Sequence, residues 1–544
     1  MNLKDKPFNL TDSEEKWVND VLNSLTTKEK IGQLFIILGD LYQDDTLDEF
    51  IKEYAIGGIL FRPDLKVNIQ SKYEHLDKIS KVPLIKAANL EEGGNGAIED
   101  GTRFSTELGV SATRNPKFAY ELGLVSGKEA KEACVNASFS PDTDIDYNYL
   151  NPITNERTFG SDPKLVKEMS LSFYKGLSDS GIIAFAKHFP GDGTDFRDQH
   201  LLPSYNLLTS RDWFNSYGEV YKALIDNGIP GIMVGHITSY NLEKEFNPNV
   251  LFKDALPASL SDTLLNKLLR EKLGFNGLIV TDATIMGGFD SVMERRLAIP
   301  YAIKSGIDML VFNLDLKEDM SYIDEALNNK TLSYERLDEA VKRILGIKVL
   351  IKRKENIKVN VDTKSWQEDL IDNSITLVKN NDNILPITKE KYPRIELRIL
   401  GNDKMTNGSL KDTAKEYLEK EGFEVSVFDI EKEELRGTKN LDKGKLILYL
   451  ANLETASNQT SVRINWAKKH ALDSPRFINE IDYVFISFAN PYHLIDVPRI
   501  KTYINSYTLN KEVVEASLKK ILKKPKFKGI SPVDPFCGLM DTHL

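Results

Sequence analysis

Eight short apolar runs, separated by polar turns and amphipathic stretches, recur through the first 350 residues and constrain the fold more than any other feature. They are IGQLFII from Ile31, GGILFR from Gly57, VPLIKAAN from Val82, ASFSPDTDI from Ala137, IIAFAKH from Ile182, GIMVGHI from Gly231, GLIVTD from Gly277 and DMLVFN from Asp308. Each has the length of a strand, and most are apolar on both faces, as strands of a buried parallel sheet are. Helical patterns lie between them. In DPKLVKEMSLSFYKGLSDSG from Asp162 apolar residues return at spacings of three and four, and SDTLLNKLLREKLG from Ser261 opens on a residue suited to capping a helix. Strands alternating with helices predict a parallel sheet, and eight such units predict a closed (β/α)8 barrel, the TIM barrel.

The pattern changes after the basic stretch IKVLIKRKENIKV from Ile347. SITLVKNNDNILPI from Ser374, RIELRILGND from Arg394, FEVSVFDI from Phe423, KLILYLAN from Lys445 and DYVFISFAN from Asp482 alternate with charged helical segments. This predicts a second, smaller α/β sandwich. The chain thus divides into a barrel domain over 1–355, a linker over 356–372 and a C-terminal α/β sandwich over 373–544. The segment GNDKMTNG from Gly401 follows a strand but lacks the spacing of either glycine-rich phosphate loop, so no nucleotide site is expected there.

Active sites of such barrels form at the C-terminal ends of the strands. Polar residues collect there: Asn89 ends the third run, Lys187 and His188 the fifth, His236 lies near the end of the sixth, and Asp282 ends the seventh. The fifth run leads into KHFPGDGTDFRDQH, residues 187–200, where Pro190, Gly191 and Gly193 force a bend and keep the following polar residues on a loop. Within that loop Asp198 and His200 are two apart. The carboxylate can hold one ring nitrogen and leave the other free for proton transfer, although a solitary Asp-x-His is also what an ordinary polar surface loop contains. Asp282, delivered by a buried strand to the barrel mouth, can attack a sugar carbon of oxocarbenium character, or it can simply cap the helix beginning near Ala283.

Composition narrows the function classes. Lys and Arg number 71 against 81 Asp and Glu, a net charge of -10, which disfavours nucleic acid and anionic membranes. The N-terminal stretch has no apolar signal-like core and no segment approaches the length of a membrane span, so a cytoplasmic location is expected. Two cysteines, Cys134 and Cys537, supply neither a disulfide framework nor a C-x-x-C motif. No metal and no cofactor is expected, and oligomeric state is left open.

KHFPGDGTDFRDQH, GLIVTDATIM and NPITNERTFGSDP from Asn151 together resemble the family 3 glycoside hydrolases, specifically the bacterial β-N-acetylglucosaminidase branch, over roughly residues 25 to 350. The resemblance implies a retaining glycosidase removing terminal β-linked N-acetylglucosamine from a small carbohydrate. Asp282 would be the nucleophile, His200 the general acid/base and Asp198 the residue orienting it. Arg157, Lys187 and His188 would contact the sugar in subsite −1, with Asn89, Glu92 and His236 as further substrate-binding residues. Two positions depart from the family pattern. Asp192 stands where the loop usually reads K-H-F-P-G-H-G, and NLEEGG replaces D-x-E-G-G, with Asn89 nearest the expected aspartate and Glu91 or Glu92 able to supply a carboxylate. An imidazole acid/base does not repel an anionic nucleophile, so a phosphorylase is an alternative to the hydrolase, and a β-glucosidase of the same family is another. No cationic cradle beyond Lys187, His188, Arg157 and Arg197 is evident, which favours water as acceptor. The rival of another class is a sugar-binding protein without catalysis.

Overall fold

The computed structural model describes residues 1–401, 403–434, 437–523 and 526–544. The chain forms two compact units. One comprises Met1–Phe104, Ala119–Asn151 and Pro163–Val361; the other comprises Ser105–Phe118, Pro152–Asp162 and Asp362–Leu544.

In the first unit the eight apolar runs supply eight parallel strands: β1 Phe35–Leu38, β2 Gly58–Leu60, β3 Ile85–Ala88, β4 Ala137–Ser138, β5 Ile183–Phe189, β6 Gly231–Val234, β7 Leu278–Ala283 and β8 Met309–Val311. Neighbours in sequence are neighbours in space, and β8 pairs back onto β1 through Phe35 opposite Leu310, closing the (β/α)8 barrel. Two runs yield less strand than their apolar length suggests. Residues 27–33 are helical, because Thr26 and Glu29 form a reciprocal capping box there and only Phe35–Leu38 joins the barrel. The fourth run forms strand over two residues only, ending shortly before Pro141, which has no N–H to give a ladder, and beyond it Asp142 adds a single bridge to Lys187.

The intervening helices follow the apolar spacing. Pro163 opens the helix Pro163–Ser180 at the position where its missing N–H is not needed, and Leu165, Val166, Met169, Phe173 and Leu177 form its buried face. The segment after Ser261 is helical over Thr263–Lys272 with i→i+5 hydrogen bonds, and Ser261 Oγ accepts from Leu264 N–H at 3.2 Å.

At the barrel's N-terminal end, Asp308, the residue before β8, is fully buried and ties two helices, Thr263–Lys272 and Tyr334–Lys354, to the sheet. Its Oδ2 accepts from Arg270 Nη2 at 2.7 Å and from Ile279 N at 3.0 Å, and its Oδ1 from Arg336 Nη2 at 2.8 Å and Arg343 Nη1 at 3.2 Å. All these partners are N–H donors, as a buried carboxylate requires.

The second unit is a six-stranded mixed sheet of β9 Thr376–Asn380, β10 Arg394–Gly401, β11 Glu424–Val427, β12 Lys445–Asn452, β13 Tyr483–Ser487 and β14 Thr502–Asn505, in the order β9-β14-β13-β12-β10-β11. Only the β9–β14 pair is antiparallel. Alternation along β12 feeds two cores. Leu446, Leu448 and Leu450 join one with the helices Lys404–Lys420 and Lys511–Lys523, while Ile447, Tyr449 and Ala451 join the other with Phe485 and Tyr503. β14 lies outside the five runs singled out in the sequence. Asn402 of the GNDKMTNG segment lies outside the described residues.

Candidate active site

Three barrel strands deliver the chemistry. β7 ends TDA, so Asp282 sits at the C-terminal end of a strand whose six residues are all buried. Its Oδ1 accepts from Ala283 N–H at 2.7 Å, while Oδ2 makes no hydrogen bond among the described residues and stands 3.8 Å from His188 Nε2. The helix-cap alternative is not realised: the next helix is Gly287–Asp290, and the residue preceding it is Met286. Burial alone would raise the Asp282 pKa. The imidazoles of His188, His200 and His236, with the Ala283 N–H, outweigh burial and hold the carboxyl below its ordinary value of 3.8. Asp282 is therefore an ionised carboxylate ringed by three histidines.

β5 brings Lys187 and His188. Its register with β6 shifts between Ala186 and Phe189, and such an irregularity re-aims the side chains it contains. His188 Nδ1 bonds Asp144 Oδ2 at 2.6 Å, which fixes the ring and turns Nε2 toward Asp282. Lys187 pairs with Glu91, and both side chains are largely buried. Glu92 pairs with Arg103, Oε2 to Nε at 2.8 Å, so each of the two glutamates faces its own cation. Asn89 follows β3 and is exposed. Asp142, Asp144 and His188 place three atoms capable of metal ligation within 4.8 Å of one another. Within this group the His188 Nδ1–Asp144 Oδ2 bond orients the His188 ring.

The loop after β5 carries the dyad. Asp198 Oδ1 accepts from the His200 backbone N–H at 2.8 Å and bonds His200 Nδ1 at 2.7 Å. Asp198 is buried, whereas the His200 side chain keeps 22% of its exposure, and its Nε2 bonds no described residue. Asp198 thus fixes the ring through Nδ1 and leaves Nε2 directed away from it. The loop is held to the segment following β7: Gly287 N–H donates to the His200 carbonyl at 2.8 Å and Gly288 N–H to the Gln199 carbonyl at 3.1 Å.

His236 is placed differently from a sugar contact. It is fully buried, its Nε2 donates to the Ala283 carbonyl at 3.0 Å and its Nδ1 accepts from Ser259 Oγ at 2.8 Å, so both nitrogens are used within the protein. Burial lowers its pKa below 6.5, against the opposing effect of the Asp282 charge. It supports the end of β7 from behind. Asp192 is also buried, and burial together with the Asp144 charge raises its pKa well above the ordinary carboxylate value. Arg157 ends the short turn Asn155–Arg157 of the second unit, its Nη1 3.5 Å from the Ile153 carbonyl. Sequence reasoning missed Asp144 and Gln199. The first stands inside an apolar run as one of three alternating aspartates, D-x-D-x-D over residues 142–146, a pattern unusual for a buried segment and therefore a usable signal.

The description "Glycosyl hydrolase family 3 N terminal domain" matches residues 26–347. This chain belongs to glycosyl hydrolase family 3. It is 37% identical, over 100% of both chains, to the β-N-acetylglucosaminidase/β-glucosidase of Cellulomonas fimi. Among solved structures it is similar to a β-glucoside phosphorylase, BglX, with a TM-score of 0.93, 40% identity and 99% of each chain covered. A family 3 β-N-acetylglucosaminidase from Paenibacillus sp. shares the fold at a TM-score of 0.77 and 20% identity, over 95% of this chain and 100% of that one. Among the described residues no helix is long and apolar enough to cross a membrane.

Proposed function

We propose that this family 3 protein cleaves terminal β-linked N-acetylglucosamine and glucose from small glycosides with retention of configuration. In this reading Asp282 attacks the anomeric carbon and forms a glycosyl ester as the glycosidic bond breaks. His200 Nε2 gives its proton to the departing oxygen, then takes one from the incoming acceptor. Asp198 holds the ring and stabilises its charged form. Lys187, His188 and Asn89 bind the sugar, and Glu91 pairs with Lys187. His236 supports the strand end that carries Asp282. The observation that carries the reading is the ionised carboxylate at the end of β7, half satisfied and near an imidazole already oriented by its own carboxylate.

The dual name of the Cellulomonas fimi relative favours acceptance of both sugars. A second reading has its own support: the 40% identical solved neighbour is named a β-glucoside phosphorylase. A neutral imidazole poses no electrostatic obstacle to phosphate approaching the glycosyl intermediate.

The deciding experiment uses aryl β-N-acetylglucosaminide and aryl β-glucoside, with and without phosphate, in the parent and in Asp282→Ala. Free sugar of β configuration as the first product supports hydrolysis, and sugar 1-phosphate supports phosphorolysis. Release of neither aglycone by the parent would leave a non-catalytic sugar-binding protein.

A further inference from the structure

The loop that bears Asp198 and His200 is anchored by the residue between them. Gln199 is fully buried while its neighbour His200 reaches the mouth. Its Oε1 accepts from the His236 backbone N–H at 2.7 Å. A backbone N–H can only donate, so the amide orientation is determined and Nε2 must face the other way. There it donates to Asp192 Oδ2 at 3.3 Å. Asp192 is itself immobilised. Its Oδ1 accepts from Asn151 Nδ2 at 2.9 Å and Gly193 N at 2.7 Å, and its own N–H donates to Asp144 Oδ1 at 2.6 Å.

The main chain adds a second clip. At Gly288 a Cβ would lie 2.4 Å from the Gln199 carbonyl oxygen, and at Gly287 one would lie 2.2 Å from that of Leu201. Only glycine permits this approach, through which Gly287 and Gly288 donate to His200 and Gln199. Gln199 is thus tied on one side to Asp192 and His188's partner Asp144, and on the other to His236, which in turn holds the Ala283 carbonyl beside Asp282.

We propose that Gln199 and Asp192 are positioning residues that lock the acid/base loop to the frame carrying the nucleophile, so that His200 is preset before substrate arrives. This accounts for Asp192 at a position where the resembling loops carry histidine: the carboxylate is the acceptor that the Gln199 amide requires. The inference rests on the assignment of His200 as general acid in the proposed function. Its physical content is that an acid displaced by even a fraction of its hydrogen-bond reach loses proton transfer while the rest of the site survives.

The test compares kcat/KM for aryl β-glycosides with a good leaving group, 2,4-dinitrophenolate, and a poor one, phenolate, in the parent, His200→Ala, Gln199→Met and Asp192→Asn. Gln199→Met keeps the volume and removes both hydrogen bonds. Asp192→Asn keeps the shape and presents an N–H to an N–H once its oxygen serves Asn151 and Gly193. Both variants should lose about tenfold or more on phenyl glycosides and at most a few-fold on dinitrophenyl glycosides, the same signature as His200→Ala but smaller, because assisted departure matters only for poor leaving groups. Equal loss on both substrates would show a merely structural role and overturn the proposal, as would no loss on either. Should one variant fail to fold, as judged by its thermal transition, the other carries the comparison. If His200→Ala itself lacks leaving-group selectivity while the parent is active, the acid assignment falls and the clamp with it. If His200→Ala shows the signature and neither clamp variant does, only the clamp falls.

Discussion

Two buried aspartates on neighbouring strands of the barrel show how one fold makes a carboxylate either fully or only half hydrogen-bonded. Asp308, at the N-terminal end of β8, is surrounded by the guanidinium groups of Arg270, Arg336 and Arg343 and by the Ile279 N–H, so both oxygens are saturated. Asp282, at the C-terminal end of β7, receives one N–H at Oδ1, and its other oxygen faces His188 at 3.8 Å without a hydrogen bond. Each is held below its ordinary pKa against the effect of burial, one by arginines and the other by histidines. Arginine stays charged and locks its partner in place, whereas imidazole can be neutral or charged as chemistry demands. On the proposed function, the barrel's two ends thus divide stability from chemistry.

The comparison breaks first at Asp282. Asp282→Ala should lower turnover of aryl β-glycosides on the order of 10⁴-fold or more, since the covalent route is lost, while shifting the thermal transition only slightly. A variant that stays active would remove the nucleophile assignment. Asp308→Ala should do the reverse. With three arginines left around an empty carboxylate position it should lose about 3–5 kcal/mol in denaturant unfolding, and the folded fraction should keep its specific activity. A stable Asp308→Ala protein would show that the ion cluster is not a structural centre.

The third effect sharpens the division within the mouth. His200→Ala should cost on the order of 10²-fold on phenyl glycosides and far less on dinitrophenyl glycosides, measured as kcat/KM. The smallest effect concerns pH. His236 has a folded-state pKa below 6.5, so as pH falls through 6.5 the unfolded chain takes up a proton that the folded one refuses, and the stability tied to the neutral ring is progressively lost. Urea midpoints at pH 7 and pH 5 should differ less in His236→Asn than in the parent. An unchanged difference would mean that the ring is not held neutral.

The barrel was legible because every strand is a short apolar run and every run is followed by punctuation, so periodicity and turns agree. It failed in detail where local chemistry overrode apolarity, as at Thr26 and Glu29, which cap a helix through the start of the first run. β14, Thr502–Asn505, escaped notice because TYIN is too short and too polar to stand out, although it is buried between β9 and β13. Of the site, Asp198 and His200 could be joined from the sequence because two residues of separation keep them in reach. His236 was expected among the sugar contacts because it follows β6. Its two hydrogen bonds inside the protein come from Ser259 and Ala283, residues 23 and 47 positions away, which no local pattern reveals.

Apolar spacing and turn residues by themselves determined the alternation of strand and helix and the ends of strands at which polar side chains gather, because these depend on contacts local in sequence. Tertiary structure alone decided which carboxylate meets which cation. Lys187 takes Glu91 and leaves Glu92 to Arg103, and Asp144 orients His188 across 44 residues. Such pairings arise only when closure of the barrel brings distant strand ends within a few ångströms, where burial makes each polar group depend on the partner it finds.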